Sequence, residues 1–310
     1  MLAYHIPVLL NESVSALHTD INPDGVYVDA TFGGGGHSAE ILKRLGKKGK
    51  LIAFDRDSDA LDNAPDDKRL ILVHNNFRFI RNFVKYYGYE GKVDGILADL
   101  GVSSHQFDTG ERGFSFRFEA PLDMRMNRLA SKNAADIINN YSKEELIKIF
   151  RLYGELDQPW KAAELICAAR VLAPIETTGD LSKAVSKLYN SFTEHKFLAK
   201  LFQALRIEVN AEMTALEDFL NGTLPSLKPG GRLSVITYHS LEDRMVKNFM
   251  KTGNIEGKVN KDFFGKSETP FEVITRKPAL PAEAEINVNT RSRSAKLRVA
   301  EKIQEHGNQR

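Results

Sequence analysis

The 310-residue sequence contains a single cysteine, Cys167. One thiol excludes an intrachain disulfide and any multi-thiolate metal site, and suits a reducing cytoplasm. Cys167 lies in the apolar helical stretch Ala162 to Arg170, the setting of a core residue. With no second thiol available, nucleophilic attack on carbon 5 of a pyrimidine is disfavoured. Long apolar runs are missing too: none approaches the ~18 residues of a membrane span. The start, Met1-Leu-Ala-Tyr-His-Ile-Pro-Val-Leu-Leu10, lacks the basic region and apolar run of a signal peptide, so a cytoplasmic protein with no membrane partner is expected. Excess charge is absent as well. Lys plus Arg number 43 against 41 Asp plus Glu, a formal net charge of +2, so no global basic field points to nucleic acid. His5, His18, His105 and His195 have no companions at metal-ligand spacing, and no metal is expected. Repeats and low-complexity tracts are not found. What remains is an ordinary globular composition, 42% hydrophobic and 27% charged, over a length suited to roughly two domains.

The most informative segment is Val26-Tyr-Val-Asp-Ala-Thr-Phe-Gly-Gly-Gly-Gly-His37. It reads as a buried strand, a glycine turn and the start of a helix, since Ile41, Leu42 and Leu45 follow at helical spacing. Glycines there permit a sharp turn and close approach of a ligand to the main chain. The free N–H groups of the following helix suit an anionic group. Twenty residues after Gly35, the strand Lys50-Leu-Ile-Ala-Phe-Asp55 ends in an acid, the position that binds ribose hydroxyls in doubly wound folds. S-adenosylmethionine and a dinucleotide both fit so far. A dinucleotide site wants G-x-G-x-x-G, and Ser38 occupies its third position.

Strands are predicted at 26–31, 50–55, 69–74 and 93–99, with helices at 37–45, 58–64 and 77–87. That alternation argues a parallel sheet covered by helices. Residues 103–132 are irregular and interleave arginine with phenylalanine. Residues 133–205 read as helical, with a capping box at Ser142 and Glu145 and an apolar stripe through Leu181, Ala184, Val185 and Leu188. The expected division is therefore an α/β domain from 1–102 and 206–310, interrupted by a mostly helical insertion at 103–205. After a helix over 210–224, Leu227-Lys-Pro-Gly-Gly-Arg-Leu reads as a turn. Arg232 to Tyr238 reads as a fifth strand, and Phe271 to Thr275 with Lys296 to Ala300 as a closing antiparallel pair.

Ligands in open α/β sheets bind at the carboxyl ends of the strands. Asp99 closes the apolar run Ile96-Leu-Ala98 and is a candidate to accept a hydrogen bond from a reacting amine. Ser103 and Ser104 stand beyond the same strand end, as turn residues or as catalytic contacts. His239 follows the fifth strand near Glu242 and Asp243, as a helix cap or as a substrate contact. His37 frames the glycine turn.

Taken in order, these motifs resemble a family. They are His5-x-Pro-Val-Leu-Leu-x-Glu12, Asp29-Ala-Thr-Phe-Gly-Gly-Gly-Gly-His37, Asp55-Arg-Asp57, Asp99-Leu-Gly-Val-Ser-Ser104 and Glu111-Arg-Gly-Phe-Ser-Phe116. Pro121-Leu-Asp-Met-Arg-Met126, Phe202-Gln-Ala-Leu-Arg-Ile207, Lys228-Pro-Gly-Gly-Arg-Leu233, His239-Ser-Leu-Glu-Asp-Arg244 and Asn289-x-Arg-x-Arg-Ser294 complete them. The set is similar to the bacterial ribosomal RNA small-subunit methyltransferase H family over nearly the whole chain. The resemblance implies a class I S-adenosylmethionine-dependent methyltransferase, a Rossmann-like doubly wound α/β sheet with an inserted helical domain. It implies methylation of N4 of a cytidine in the decoding region of 16S rRNA within the small ribosomal subunit, with no DNA partner. The cofactor contacts it implies are Gly35, Gly36, His37, Asp55, Phe77, Asp99 and Gln106. Two positions depart from the family's pattern, Leu156 and Lys200. Both fall in the insertion, where they bear on RNA contacts. A nicotinamide-dependent oxidoreductase and a non-catalytic RNA-binding factor remain as alternatives.

The Arg/Phe-rich stretch 112–128 suits stacking and phosphate contact, or core packing. Two local basic groups are expected to flank the crevice and to meet a folded ribonucleoprotein: Arg112, Arg117, Arg125, Arg128 and Lys132, then Arg291, Arg293, Lys296 and Arg298.

Overall fold

Seven strands form one sheet in the computed structural model, which describes residues 7–101, 110–261, 265 and 267–304. The strands are β1 (Val26–Asp29), β2 (Lys50–Asp55), β3 (Leu70–His74), β4 (Val93–Asp99), β5 (Leu227–Thr237), β8 (Phe271–Val273) and β9 (Lys296–Lys302); β6 (Asn260–Lys261) and β7 (Ser267–Glu268) pair separately. The order across the sheet is β3-β2-β1-β4-β5-β9-β8. The first five are parallel, and β9 runs antiparallel to both β5 and β8. A seven-stranded sheet with one reversed strand beside β5 is consistent with the class I methyltransferase fold that the resemblance implies. The strand order reverses at β1, which lies between β2 and β4, so the ligand crevice belongs at the carboxyl ends of β1 and β4.

The chain divides into two units, residues 1–101 with 214–310, and residues 102–213. In the first, β4 is buried along its length up to Asp99, as expected of a central strand read from Ile96-Leu-Ala98. Helices α1 (Leu10–Ser15) and α2 (Gly36–Arg44) supply Val14, Ile41 and Leu42, which pack with Tyr27, Leu51 and Leu97. At the opposite end of β4, Asp94 accepts from Asn22 Nδ2 at 2.7 Å and Val26 N at 2.8 Å and pairs with Lys228. This ties the entry of β1 to the entry of β5.

Three local expectations change. The helix expected at 58–64 is one turn, α3 (Ser58–Leu61). That expected at 77–87 begins as a tighter turn, Phe77–Phe79, because Asn76 accepts from Arg78 N at 3.0 Å; α4 (Ile80–Tyr86) follows. Lys228 to Gly231 lies inside β5 instead of forming a turn before it. The pairing with β4 jumps from Val93↔Leu227 to Gly95↔Arg232, so the extra residues bulge outward. Gly230 takes φ 75° there, and a Cβ on Gly231 would stand 2.8 Å from Val93 O.

The second unit holds α5 (Ala134–Asn140), α6 (Lys143–Leu152), α7 (Pro159–Leu172), α8 (Thr178–Ala184) and α9 (Glu194–Asn210). Capping boxes start α5, α6 and α8 at Asn133, Ser142 and Thr177, the Ser142 box being the one already read from the sequence. The unit closes later than the expected residue 205 because α9 runs unbroken to Asn210. Leu146, Phe150, Ala162, Leu201 and Leu205 form its core, with Cys167 packed at the margin. The first unit then resumes with α10 (Glu212–Ser226), α11 (Ser240–Thr252) and α12 (Glu283–Val288).

Gly113 is the tightest point of the second unit's entry. Its φ is 68°, and a Cβ would lie 2.2 Å from the main-chain oxygen of Pro121. Neither a backbone oxygen nor a left-handed φ accommodates alanine. Gly113→Ala should therefore cost about 2 kcal/mol or more. Urea denaturation reads it, and an unchanged midpoint would contradict this loop geometry.

Candidate active site

The site is built from strand ends. At the end of β1, buried Asp29 accepts from Thr31 N at 3.0 Å and from Ser38 Oγ at 2.6 Å, clipping strand β1 to the first turns of α2. Between them runs the glycine turn. Gly33 and Gly35 take φ 52° and 77°, and Gly35 is the N-cap of α2 with no side-chain cap, leaving the first amides available to a ligand. Gly36 also packs tightly against the protein: a Cβ there would stand 2.2 Å from Pro7 Cγ.

Asp55 ends β2. Its Oδ2 accepts from Gly33 N at 2.7 Å and its Oδ1 from Asp57 N at 2.8 Å, so the carboxylate braces the glycine turn. Burial pushes its pKa upward, against those two amides and with no cation as first cause. A desolvated carboxylate of this kind suits neutral hydroxyl donors, which is the chemistry of a ribose. Phe77 follows β3, half-buried, with its ring 5.3 Å edge-on from Phe219.

Asp99 ends β4. Its backbone N donates to Thr31 Oγ1 at 2.7 Å, and its Oδ1 accepts from Tyr238 Oη at 2.7 Å. Its Oδ2 lies 3.9 Å from His37 Nδ1. His37 Nε2 is 3.1 Å from Val8 O; a carbonyl only accepts, so that nitrogen carries the proton. Burial raises Asp99 to about 6, with His37 and the Tyr238 hydrogen bond opposing and Asp29 and Glu242 adding to the rise. Asp29 is likewise pushed up by burial.

The structure thus gathers Gly35, His37, Asp55, Phe77 and Asp99 at adjoining strand ends. Ser103, Ser104 and Gln106, like His5 and His105, lie outside the described residues. His239 acts as the N-cap of α11: Nδ1 faces Glu242 N at 3.4 Å and Nε2 lies 3.1 Å from Glu242 Oε1. The structure uses this ring to start a helix, the capping role that the sequence left open beside a substrate contact. Sequence reasoning passed over Tyr238, Thr31 and Ser38. Tyr238 stands immediately before His239, and only the assembled sheet shows that its hydroxyl meets Asp99.

Several cations expected to meet RNA are committed internally. Arg112 is buried and donates to Arg125 O at 2.9 Å and Met126 O at 3.1 Å. Arg125 forms a fork on Asp123 at 2.8 and 2.7 Å, and Arg298 a fork on Asp243 at 2.6 and 3.1 Å. Arg117, Arg128, Lys132, Arg291 and Arg293 are exposed. The two departures are absorbed within the second unit. Leu156 joins its core, and Lys200 Nζ donates to Glu155 O at 2.8 Å.

The MraW methylase family profile matches residues 2–303. The chain belongs to this family. The ribosomal RNA small subunit methyltransferase H of Parabacteroides distasonis is 58% identical over 300 residues, 97% of this chain and 98% of that one. The protein of the same name from Bacteroides fragilis is 58% identical over 299 residues, 96% of this chain and 97% of that one. The Flavobacterium johnsoniae protein of that name is 53% identical over 302 residues, 97% of this chain and 99% of that one. A crystal structure of an rRNA methylase from Streptococcus thermophilus aligns over 97% of this chain and 99% of that one, at 15% identity and TM-score 0.40, too distant to add to the argument. As a class I methylase, this family member takes its methyl group from S-adenosylmethionine, and the residues at the ends of β1 and β2 suit that cofactor.

The raised Asp99 has a measurable cost. Folded Asp99 holds its proton up to about pH 6, whereas the unfolded side chain releases it near 3.8. Stability from this group is therefore full below pH ~4 and lost as pH rises through about 6, by up to roughly 3 kcal/mol at 1.4 kcal/mol per pK unit. Asp99→Asn should accordingly be more stable than the wild type at pH 7.5, with the gain shrinking toward pH 4. Urea midpoints at both pH values test this, and a pH-independent difference would count against the raised carboxyl.

Proposed function

We propose that this methylase transfers a methyl group from S-adenosylmethionine to the exocyclic N4 of a cytidine in the decoding region of 16S rRNA, acting on the small ribosomal subunit in the cytoplasm. The relatives' names support the rRNA substrate. The observation that carries the amine chemistry is Asp99, a carboxylate at the end of β4 beside the switch point, with one oxygen held by Tyr238 and the other accepting no hydrogen bond from a described residue.

When bound, S-adenosylmethionine supplies an electrophilic methyl on its sulfonium. Gly35, Gly36 and His37 at the start of α2 would hold it, with Asp55 for the ribose and Phe77 for the base, and Asp99 and Gln106 are the remaining candidates. The cytosine amine is a poor nucleophile because its lone pair is delocalised into the ring. Asp99 accepts a hydrogen bond from that amine and localises the pair along the line of attack. Little further acid–base chemistry is needed, and positioning alone can supply ~7–11 kcal/mol of such a barrier. Ser103 and Ser104, just beyond Asp99 in the chain, are the further candidates for catalytic contacts. The target base must leave its stack to reach the methyl. With a net charge of only +2, affinity for long naked RNA is weak at physiological salt, which favours a folded ribonucleoprotein as substrate. Among the described residues no helix is long and apolar enough to cross a membrane.

Asp55→Ala should weaken S-adenosylhomocysteine binding by about 10- to 100-fold, from ~1.5–3 kcal/mol per hydrogen bond to a charged group plus release of the glycine turn. Calorimetry on the folded variant checks it, and unchanged affinity would remove the ribose role. Binding of S-adenosylhomocysteine without NADH also separates a methyltransferase from an oxidoreductase or a protein that only binds RNA.

The reaction itself is tested on small subunits from a strain lacking the gene. The wild-type protein should restore one N4-methylated cytidine in 16S rRNA, mapped by mass spectrometry, and should act far better on subunits than on protein-free RNA. Asp99→Asn should slow single-turnover methylation at saturating cofactor by well over threefold, about 0.7 kcal/mol on the transition-state scale. Equal rates on both substrates, or methylation elsewhere, would overturn the assignment.

A further inference from the structure

The two oxygens of Asp99 are not equivalent. Oδ1 accepts a 2.7 Å hydrogen bond from Tyr238 Oη. Oδ2 lies 3.9 Å from His37 Nδ1, beyond hydrogen-bond range, and accepts none from a described residue. Tyr238 is itself firmly placed. It stands one residue past β5, whose Ile236 pairs with Asp99 and accepts from Leu100 N at 3.0 Å. Its backbone N donates to Glu242 Oε2 at 2.9 Å. Its ring edge borders Gly101, where an added Cβ would lie 3.4 Å from Cδ2. The phenol and the carboxylate therefore come from two registered strand ends, each held by the backbone.

An ionised carboxylate only accepts, so the phenol donates. Resting on the amine-methylation reading above, we propose that Tyr238 is a positioning residue of the reaction: its hydroxyl fixes Oδ1 of Asp99 and leaves Oδ2 as the acceptor for the amine of the target base. Without that bond the carboxylate is free to rotate and to take a proton. The groups facing Asp99 are Asp29 from β1, His37 from α2, Glu242 from α11 and Tyr238 itself; Glu285 from α12 acts on Tyr238. Burial and the two neighbouring acids push Asp99 toward its protonated form, while His37 and the phenol oppose them. Burial, Asp99 and the other acids push the Tyr238 phenol far upward, so it remains a donor at every working pH.

Tyr238→Phe keeps the ring and removes the donor. The first readout needs neither RNA nor cofactor: titration of the Asp99 carboxyl by carbon-13 NMR, assigned by its loss in Asp99→Asn. Its midpoint should rise by about half a pH unit or more in Tyr238→Phe, since a hydrogen bond to the charged form has been removed. The second is the pH profile of single-turnover methylation of small subunits. The acid limb should move in the same direction, with the rate about threefold lower near pH 5 for a half-unit shift, recovering as pH rises, and KM for the subunit little changed. Replacing Tyr238 by 3-fluorotyrosine keeps the fold and strengthens the donor, and should move the carboxyl midpoint down. It carries the test if Tyr238→Phe does not fold. An unmoved carboxyl midpoint in either folded protein, or a rate loss equal at every pH, would overturn the proposal. If the carboxyl midpoint shifts as expected but wild-type protein does not methylate small subunits, Tyr238 still positions Asp99 and the substrate reading is what fails.

Discussion

The bond on which the crevice depends is the 2.6 Å contact of Ser38 Oγ with Asp29 Oδ2. It joins the last residue of the switch-point strand to the first turn of α2, and so sets the path of the glycine turn between them. Thr31 extends the same device across the sheet. Its N–H is held by Asp29, and its hydroxyl accepts from the backbone of Asp99. One buried acid thus spaces β1, α2 and the end of β4. Asp55 closes the other side by accepting from Gly33 N. A glycine-rich turn is entropically costly to order, and these two carboxylates hold it in a single shape.

Both braces and Asp99 are carboxylates that burial pushes toward their protonated forms. Three such groups at neighbouring strand ends make the crevice a place where the fold gives up stability for chemistry. The low-dielectric surroundings that raise Asp99 also strengthen any hydrogen bond it accepts from a substrate amine. Tyr238 and His37 moderate the rise without a formal salt bridge at hydrogen-bond distance.

In the second unit, two of the four arginines that read as an RNA surface, Arg112 and Arg125, serve as internal ties. Arg112 satisfies two backbone carbonyls inside the unit, and Arg125 is paired with Asp123 two residues earlier. The phenylalanines divide in the same way. Phe114 is buried in the core and Phe118 is half exposed at 49%. Interleaved Arg and Phe is a pattern that nucleic-acid faces and loop-rich cores share, because each cation needs acceptors and each ring needs cover. Only Arg117, Arg128 and Lys132 of that stretch's cations remain exposed.

The sequence by itself determined the parallel α/β sheet, the glycine turn and the acids that end β2 and β4. These depend on short-range signals: strand periodicity, glycines at a strand–helix joint, and an acid a fixed distance on. The helical insertion was legible for the same reason, from the break in alternation after Leu100 and the Ser142–Glu145 box. Tertiary structure alone decided which oxygen of Asp99 is held. Tyr238 and Asp99 are 139 residues apart, and their meeting depends on the register of β5 against β4. It also decided that Lys228 to Gly231 bulges within a strand, since a Pro-Gly-Gly run ends a helix locally but is tolerated in a sheet where its partner leaves room. The commitment of Arg125, Arg298 and His239 to internal partners was likewise invisible: charge and ring type are written in the chain, but the acceptor each side chain reaches is set by packing.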